Sequence, residues 1–191
     1  MKTCFVALIF LNSHFQESFI RDAIRKTEAT FPMAHPFKRE VYTKVALSAT
    51  ISVVFYEVEK THGQQSSCDG AIEFFREDNF LSILQKSASE KSASFAFYAC
   101  MYDPEDNFLI TSKYTEQGFD ERQNIRGDVT RIFTQADGSV TMEDHDAQDP
   151  VAMRFQLVEN YLNDEIGVTL KELTVAWQKR QTAGTVLWEW K

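Results

Sequence analysis

A chain of 191 residues, 43% of them hydrophobic and 16 of them phenylalanine, can bury a sizeable core and is too apolar for a disordered ground state. Its net charge of −8 repels phosphate backbones and favours basic partners, so nucleic acid is not an expected ligand. The three cysteines, Cys4, Cys68 and Cys100, cannot pair off completely and lack any C-x-x-C spacing; Cys4 and Cys100 lie in apolar runs as free thiols do, and a reducing compartment fits best.

Residues 3–11 are almost continuously apolar, the pattern of a strand covered on both faces. With Met1-Lys2 before it, this run loosely resembles a signal peptide. It is short, however, and leads into Asn12-Ser13-His14 without an A-x-A site, so a retained strand and a cytoplasmic location are expected. Nothing in the sequence reaches the length of a membrane span. Ser13 and Gln16 have capping-box spacing and predict a helix that turns Phe15, Phe19, Ile20, Ala23 and Ile24 inward and stops at Pro32.

From Val41 to Phe55 the odd positions are mostly apolar and β-branched, which argues strand. One unbroken strand from Val41 to Val58 would be roughly 60 Å long, too long for this chain. Either a bulge bends it, or Phe37–Ala46 is a short helix feeding a strand from about Ser48. His62–Gly70 reads as a loop. A helix is expected within Ala71–Lys86, with Phe75, Phe80, Ile83 and Leu84 inward, followed by a low-complexity loop at Ser87–Ser94.

Phe95–Tyr102 and Phe108–Tyr114 form a hairpin across Asp103-Pro-Glu-Asp-Asn107, which has turn chemistry. Arg131–Thr134 and Val140–Glu143 form a second, closed by Ala136–Ser139. Asp149-Pro150 caps a helix carrying Val151, Phe155, Val158 and Leu162 on one face, ended by Gly167. Thr169 and Glu172 make a capping box for a helix to about Gln181. Thr185–Trp190 closes the chain as a strand with Val186, Trp188 and Trp190 on one side. Residues 1–191 therefore read as one α+β domain, a mixed or mostly antiparallel sheet with helices packed on it and a Phe-rich core.

The search for chemistry is mostly empty. Walker A, G-x-G-x-x-G, G-x-S-x-G, H-E-x-x-H, EF-hand and zinc spacings are all missing from the sequence, so no cofactor or metal is expected. Cys100, amid Phe97, Tyr98, Met101 and Tyr102, reads as a core thiol, because burial raises the pKa that a nucleophile needs lowered. Glu143-Asp-His-Asp146 is the densest polar cluster. On a strand only Asp144 and Asp146 could share a ligand, which favours a solvated acidic loop.

Residues 159–180 resemble a helix-turn-helix of the repressor type, with Leu162, Ile166, Gly167, Val168 and Leu173 at its core and turn positions. Asn163 departs from the small residue the motif places between its helices. The resemblance implies DNA contact through a positive patch at Lys171, Lys179 and Arg180. Trp188 and Trp190 could close the core or anchor an interface.

Charge distribution is more informative than any motif. Between Tyr102 and Ile166 fifteen acids face five bases, giving −10 there and +2 elsewhere. The function expected is a non-catalytic acidic module that covers a basic partner protein, as an inhibitor, an immunity protein or a nucleic-acid mimic does. Its candidate binding carboxylates are Asp103, Glu105, Asp106, Glu143, Asp144, Asp146 and Asp149. The alternatives are a hydrolase or transferase assembled from scattered carboxylates and His145, and DNA binding through 159–180.

Overall fold

A computed structural model describes residues 4–30, 37–60, 72, 80–125, 128–144 and 151–190. The strands are β1 (Phe5–Leu11), β2 (Phe37–Ala46), β3 (Ile51–Lys60), β4 (Ala96–Asp103), β5 (Phe108–Thr115), β6 (Gly118–Ile125), β7 (Asp128–Gln135), β8 (Val140–Asp144) and β9 (Thr185–Trp190). The helices among these residues are α1 (Glu17–Thr30), α2 (Phe80–Ser89), α3 (Val151–Ile166) and α4 (Leu170–Ala183). All nine strands join one sheet in the order β8-β7-β6-β5-β4-β1-β3-β2-β9. Every neighbouring pair is antiparallel. The class is the one the sequence implies: a single α+β domain on a Phe-rich core.

The apolar run at the start of the chain becomes the middle of the sheet because both its faces can be buried. Val6, Leu8 and Phe10 face α1 and α2, joined by Tyr42, Tyr56, Phe80 and Phe97. Phe5, Ala7 and Ile9 face α3 and α4, joined by Phe55, Cys100, Val158 and Leu173. Aromatic rings fill much of this space: Phe97 stacks on Tyr114 at 4.9 Å, and Phe55 meets the Trp177 ring edge-on at 5.4 Å. Each such contact adds about 0.5–1.5 kcal/mol to plain area burial.

Several expectations change. Ser13 does not start a helix: residues 12–15 form a turn in which the His14 and Phe15 amides donate to Leu11 O, and α1 begins at Glu17. Phe15 still reaches the core, meeting Phe10 edge-on at 5.4 Å. Residues 41–58 contain neither a bent single strand nor a helix, but a β2–β3 hairpin. The Ser48 hydroxyl makes its turn by accepting from the amides of Thr50 (3.2 Å) and Ile51 (3.1 Å), a role usually given to Gly, Asn or Asp.

The expected loop at Ser87–Ser94 starts later, because α2 runs to Ser89. On β9 the buried residue is Leu187, whereas Val186 is 55% exposed. A register shift between Tyr42 and Thr43 breaks the simple alternation there. Trp188 is half-buried with its ring 6.0 Å from Tyr42, and so belongs to the core's margin. The loop expected at His62–Gly70, the Pro32 stop and the Asp149-Pro150 cap lie outside the described residues.

One strand, β6, was not anticipated at all. It begins at Gly118, where φ is +137° and a Cβ would lie 1.9 Å from Thr134 O, so only glycine lets β7 approach this closely. The expected Thr169–Glu172 capping box is present: Glu172 Oε2 accepts from the Thr169 amide (2.8 Å), and Thr169 Oγ1 from the Glu172 amide (3.2 Å).

The cysteines divide. Cys100 is free and fully buried, and burial pushes its thiol pKa up. Cys4, expected as a second free thiol, is disulfide-bonded. It precedes β1 at the rim of the sheet rather than mid-core, with its sulfur 3.4 Å from Asp103 Oδ2.

Candidate functional site

The antiparallel register carries the acidic segments to one end of the sheet. Asp103 pairs with Phe108 across β4–β5, Leu109 with Asn124, Asn124 with Val129, and Thr130 with Asp144. Asp103, Glu105, Asp106, Asp128, Glu143 and Asp144 therefore lie along the same edge of five successive strands. At about 4.8 Å per strand this row is about 19 Å long.

Its members differ in burial. Asp103 is only 6% exposed, and its Oδ1 accepts from the Glu105 amide at 3.0 Å. It shapes the turn rather than facing solvent. Glu105 and Asp106 sit exposed on that turn, which Asn107 closes at φ +50°. Glu143 and Asp144 are exposed at the end of β8; Asp144 Oδ1 accepts from the Thr130 hydroxyl at 2.9 Å. Asp146, Asp149 and His145 lie outside the described residues. Among the described residues no group of His, Cys, Asp and Glu could hold a metal ion. His14 is the one described histidine, and it sits at the opposite end of the sheet, after β1.

Three carboxylates of the β9–β2–β3 side are paired with cations. Glu57 lies 2.6 Å from Arg180, Glu59 2.8 Å from Lys38, and Glu189 2.8 Å from Arg39. The hydrogen bond from Lys38 holds the Glu59 carboxyl below its usual pKa. In the acidic segment, Asp103 and Asp144 accept from an amide and a hydroxyl. Of the local cations, Arg131 lies 3.8 Å from Glu143 as well as against Asp120, while Arg122 and Lys113 lie beneath α3 or along it.

That inward network escaped the reading of the sequence. On β6, Asp120 and Arg122 share the face under α3, and Arg131 of β7 pairs with Arg122 in register. Arg131 donates to both Asp120 oxygens (3.2 and 3.1 Å), a geometry that raises its already high pKa further. Tyr161 of α3 donates to Asp120 Oδ2 at 3.4 Å. Burial, and then the Asp120 charge, push its phenol pKa up. The Arg122 guanidinium stacks 4.1 Å over the Tyr161 ring. Lys113 reaches Glu165 at 2.9 Å. A cleft of about 180 Å³ opens beside this network, lined by Arg122, Val129, Arg131, Glu143, Leu157 and Val158. The polar alternation Asp120, Arg122, Asn124 on residues two apart was the available signal.

The helix-turn-helix-like segment is two helices packed on the sheet. Leu162, Val168, Leu170, Leu173 and Ala176 are buried, and Gly167 makes the turn at φ +72°. Lys171 and Lys179 are exposed beside a groove formed with Val45 and Leu47. Arg180, expected in the same patch, is 7% exposed and tied to Glu57 and to the Trp177 ring at 3.5 Å. No helix among the described residues is long and apolar enough to cross a membrane. No family model, curated protein or solved structure matches the chain.

Proposed function

We propose that this chain is a non-catalytic protein-binding module that covers a basic surface on a partner protein, in the manner of an inhibitor, an immunity protein or a nucleic-acid mimic. The observation that carries the reading is the alignment of Glu105, Asp106, Asp128, Glu143 and Asp144 along one end of the sheet. Arg122, Arg131 and Lys113 of the same region are meanwhile engaged around α3. Arg131 also lies 3.8 Å from Glu143, but between Tyr102 and Ile166 acids outnumber bases fifteen to five, a balance that steers a cationic surface into contact.

The test is ionic strength. A basic partner captured from native lysate at low salt should associate more slowly as salt rises. Replacing Asp106 and Asp144 by asparagine together should lower the on-rate several-fold, with less effect on the off-rate. An on-rate indifferent to salt and to both substitutions removes the reading.

A further inference from the structure

We propose that the partner presents an extended basic segment, which adds to the free edge of β8 as a tenth strand of the sheet. This rests on the acidic-surface reading above and names how that surface is engaged. Among the described residues β8 ends the strand order, and all five of its residues are exposed, Val140 at 56% and Met142 at 62%.

The direction of its backbone groups follows from the turn before it. The Gln135 amide donates to Ser139 O at 2.9 Å, so 135 and 139 form a hydrogen-bonded pair. Such pairs alternate along an antiparallel ladder. Through the register Thr134–Val140, Phe133–Thr141, Ile132–Met142, Arg131–Glu143 and Thr130–Asp144, Thr141 and Glu143 bond inward to β7. The amides and carbonyls of Val140, Met142 and Asp144 point outward. The side chains of those same three residues share the sheet face opposite α3.

Edges of this kind are normally guarded by a bulge, a proline, charge, shortness or a cover; β8 is five residues long and carries its two acids only at its last positions. The other edge, β9, has a register shift against β2, a buried Leu187 and a half-buried Trp188. β8 reads Val-Thr-Met-Glu-Asp and pairs with β7 without a shift. A docking strand gains main-chain hydrogen bonds from three residues, apolar contact with Val140 and Met142, and the Asp144 carboxylate at its end, Glu143 lying on the α3 face 3.8 Å from Arg131. Charge selects the occupant. A second copy would bring another chain of net charge −8 to an edge that ends in two acids, whereas a lysine- or arginine-bearing segment is attracted.

The experiment uses the ¹⁵N-labelled full chain at low salt and a synthetic peptide, Lys-Val-Thr-Val-Lys-Val-Lys. Controls are the same peptide N-methylated at alternate residues, and oligolysine. Hydrogen exchange at Val140, Met142 and Asp144 should slow with the first peptide only. Met142→Pro removes one outward amide that β7 does not use, a place where an edge strand tolerates proline; it should weaken peptide binding about tenfold. Met142→Lys leaves the backbone intact and should weaken it by electrostatic repulsion, which covers the case of a proline variant that misfolds.

Equal binding of the first peptide to wild type and both variants, with oligolysine also bound, overturns strand addition and leaves the acidic-surface reading standing. Binding of neither peptide nor oligolysine overturns both. Protection of β8 without peptide, in a chain that sediments as a dimer, assigns the edge to a second copy and overturns the proposal.

Discussion

On β3, Phe55 packs against Phe5 and Trp177 on one face of the sheet, and Tyr56 lies 4.9 Å from Tyr42 on the other. On β7, Val129 and Arg131 lie beneath Val158 of α3, but Ile132 on the opposite face is half-exposed and its neighbour Met142 is open. Among the described residues the same sheet is thus a doubly covered core through β2, β3, β1 and β4, and a wing covered on one face at β7 and β8, with Phe119 of β6 still packed on the core. The centre is held by burial of aromatic and branched side chains. The covered face of the wing is held by an Arg–Asp–Tyr network, and on its other face Val140 and Met142 are exposed.

The largest test of this contrast is Phe55→Ala. Phe55 is fully buried between two rings, and its truncation should cost about 3–5 kcal/mol in chemical denaturation. A loss below 1 kcal/mol would mean the centre is not the stabilising half.

Glu40 gives a pH-resolved test in the same half. Only 3% exposed beside the phenols of Tyr42 and Tyr56, its carboxyl is lifted by burial from 4.5 to about 7. Below pH 4 the group is protonated whether folded or unfolded, and costs nothing. As pH rises the unfolded chain ionises first, so stability falls between about 4.5 and 7 and then levels. Glu40→Gln should therefore match wild type at pH 4 and exceed it by about 3 kcal/mol at pH 8, as an order of magnitude. A constant difference across that window would place the charge elsewhere.

In the wing, Arg131→Met removes two half-buried hydrogen bonds to Asp120 and should cost about 1–2 kcal/mol. A loss as large as that of Phe55→Ala would erase the distinction between the halves.

The legible parts of the fold were those where local chemistry and tertiary role agree. The apolar run of β1, the Asp103–Asn107 turn and the Thr169–Glu172 box each state their conformation in a few residues. β6 did not, because Gly-Phe-Asp-Glu-Arg-Gln-Asn-Ile offers a single branched residue at its end and no apolar alternation. Its strand state is imposed by β5 and β7 on either side, and tertiary context outweighs propensity there. The β2–β3 turn was hidden for a similar reason, since a serine hydroxyl supplies what glycine or asparagine usually signals. Of the candidate site, the acidic bias was readable from counting charges. The convergence of residues 103–106 and 143–144 was not, because it depends on a register running across five strands. The burial of Asp103, and of Arg180 against Glu57, likewise follows from partners distant in sequence.

The order of the strands also bears on how the chain is made. β1 lies between β3 and β4, so Val6 waits for Tyr56 and Phe5 for Tyr102. At about 5–20 residues per second a ribosome needs roughly 5–20 s to supply both neighbours. Throughout that interval the emerging chain carries a strand that is apolar on both faces and unpaired along at least one edge. Nascent chains halted before β4 should therefore be the form most in need of a chaperone, and those halted after Asp103 the first able to close the middle of the sheet.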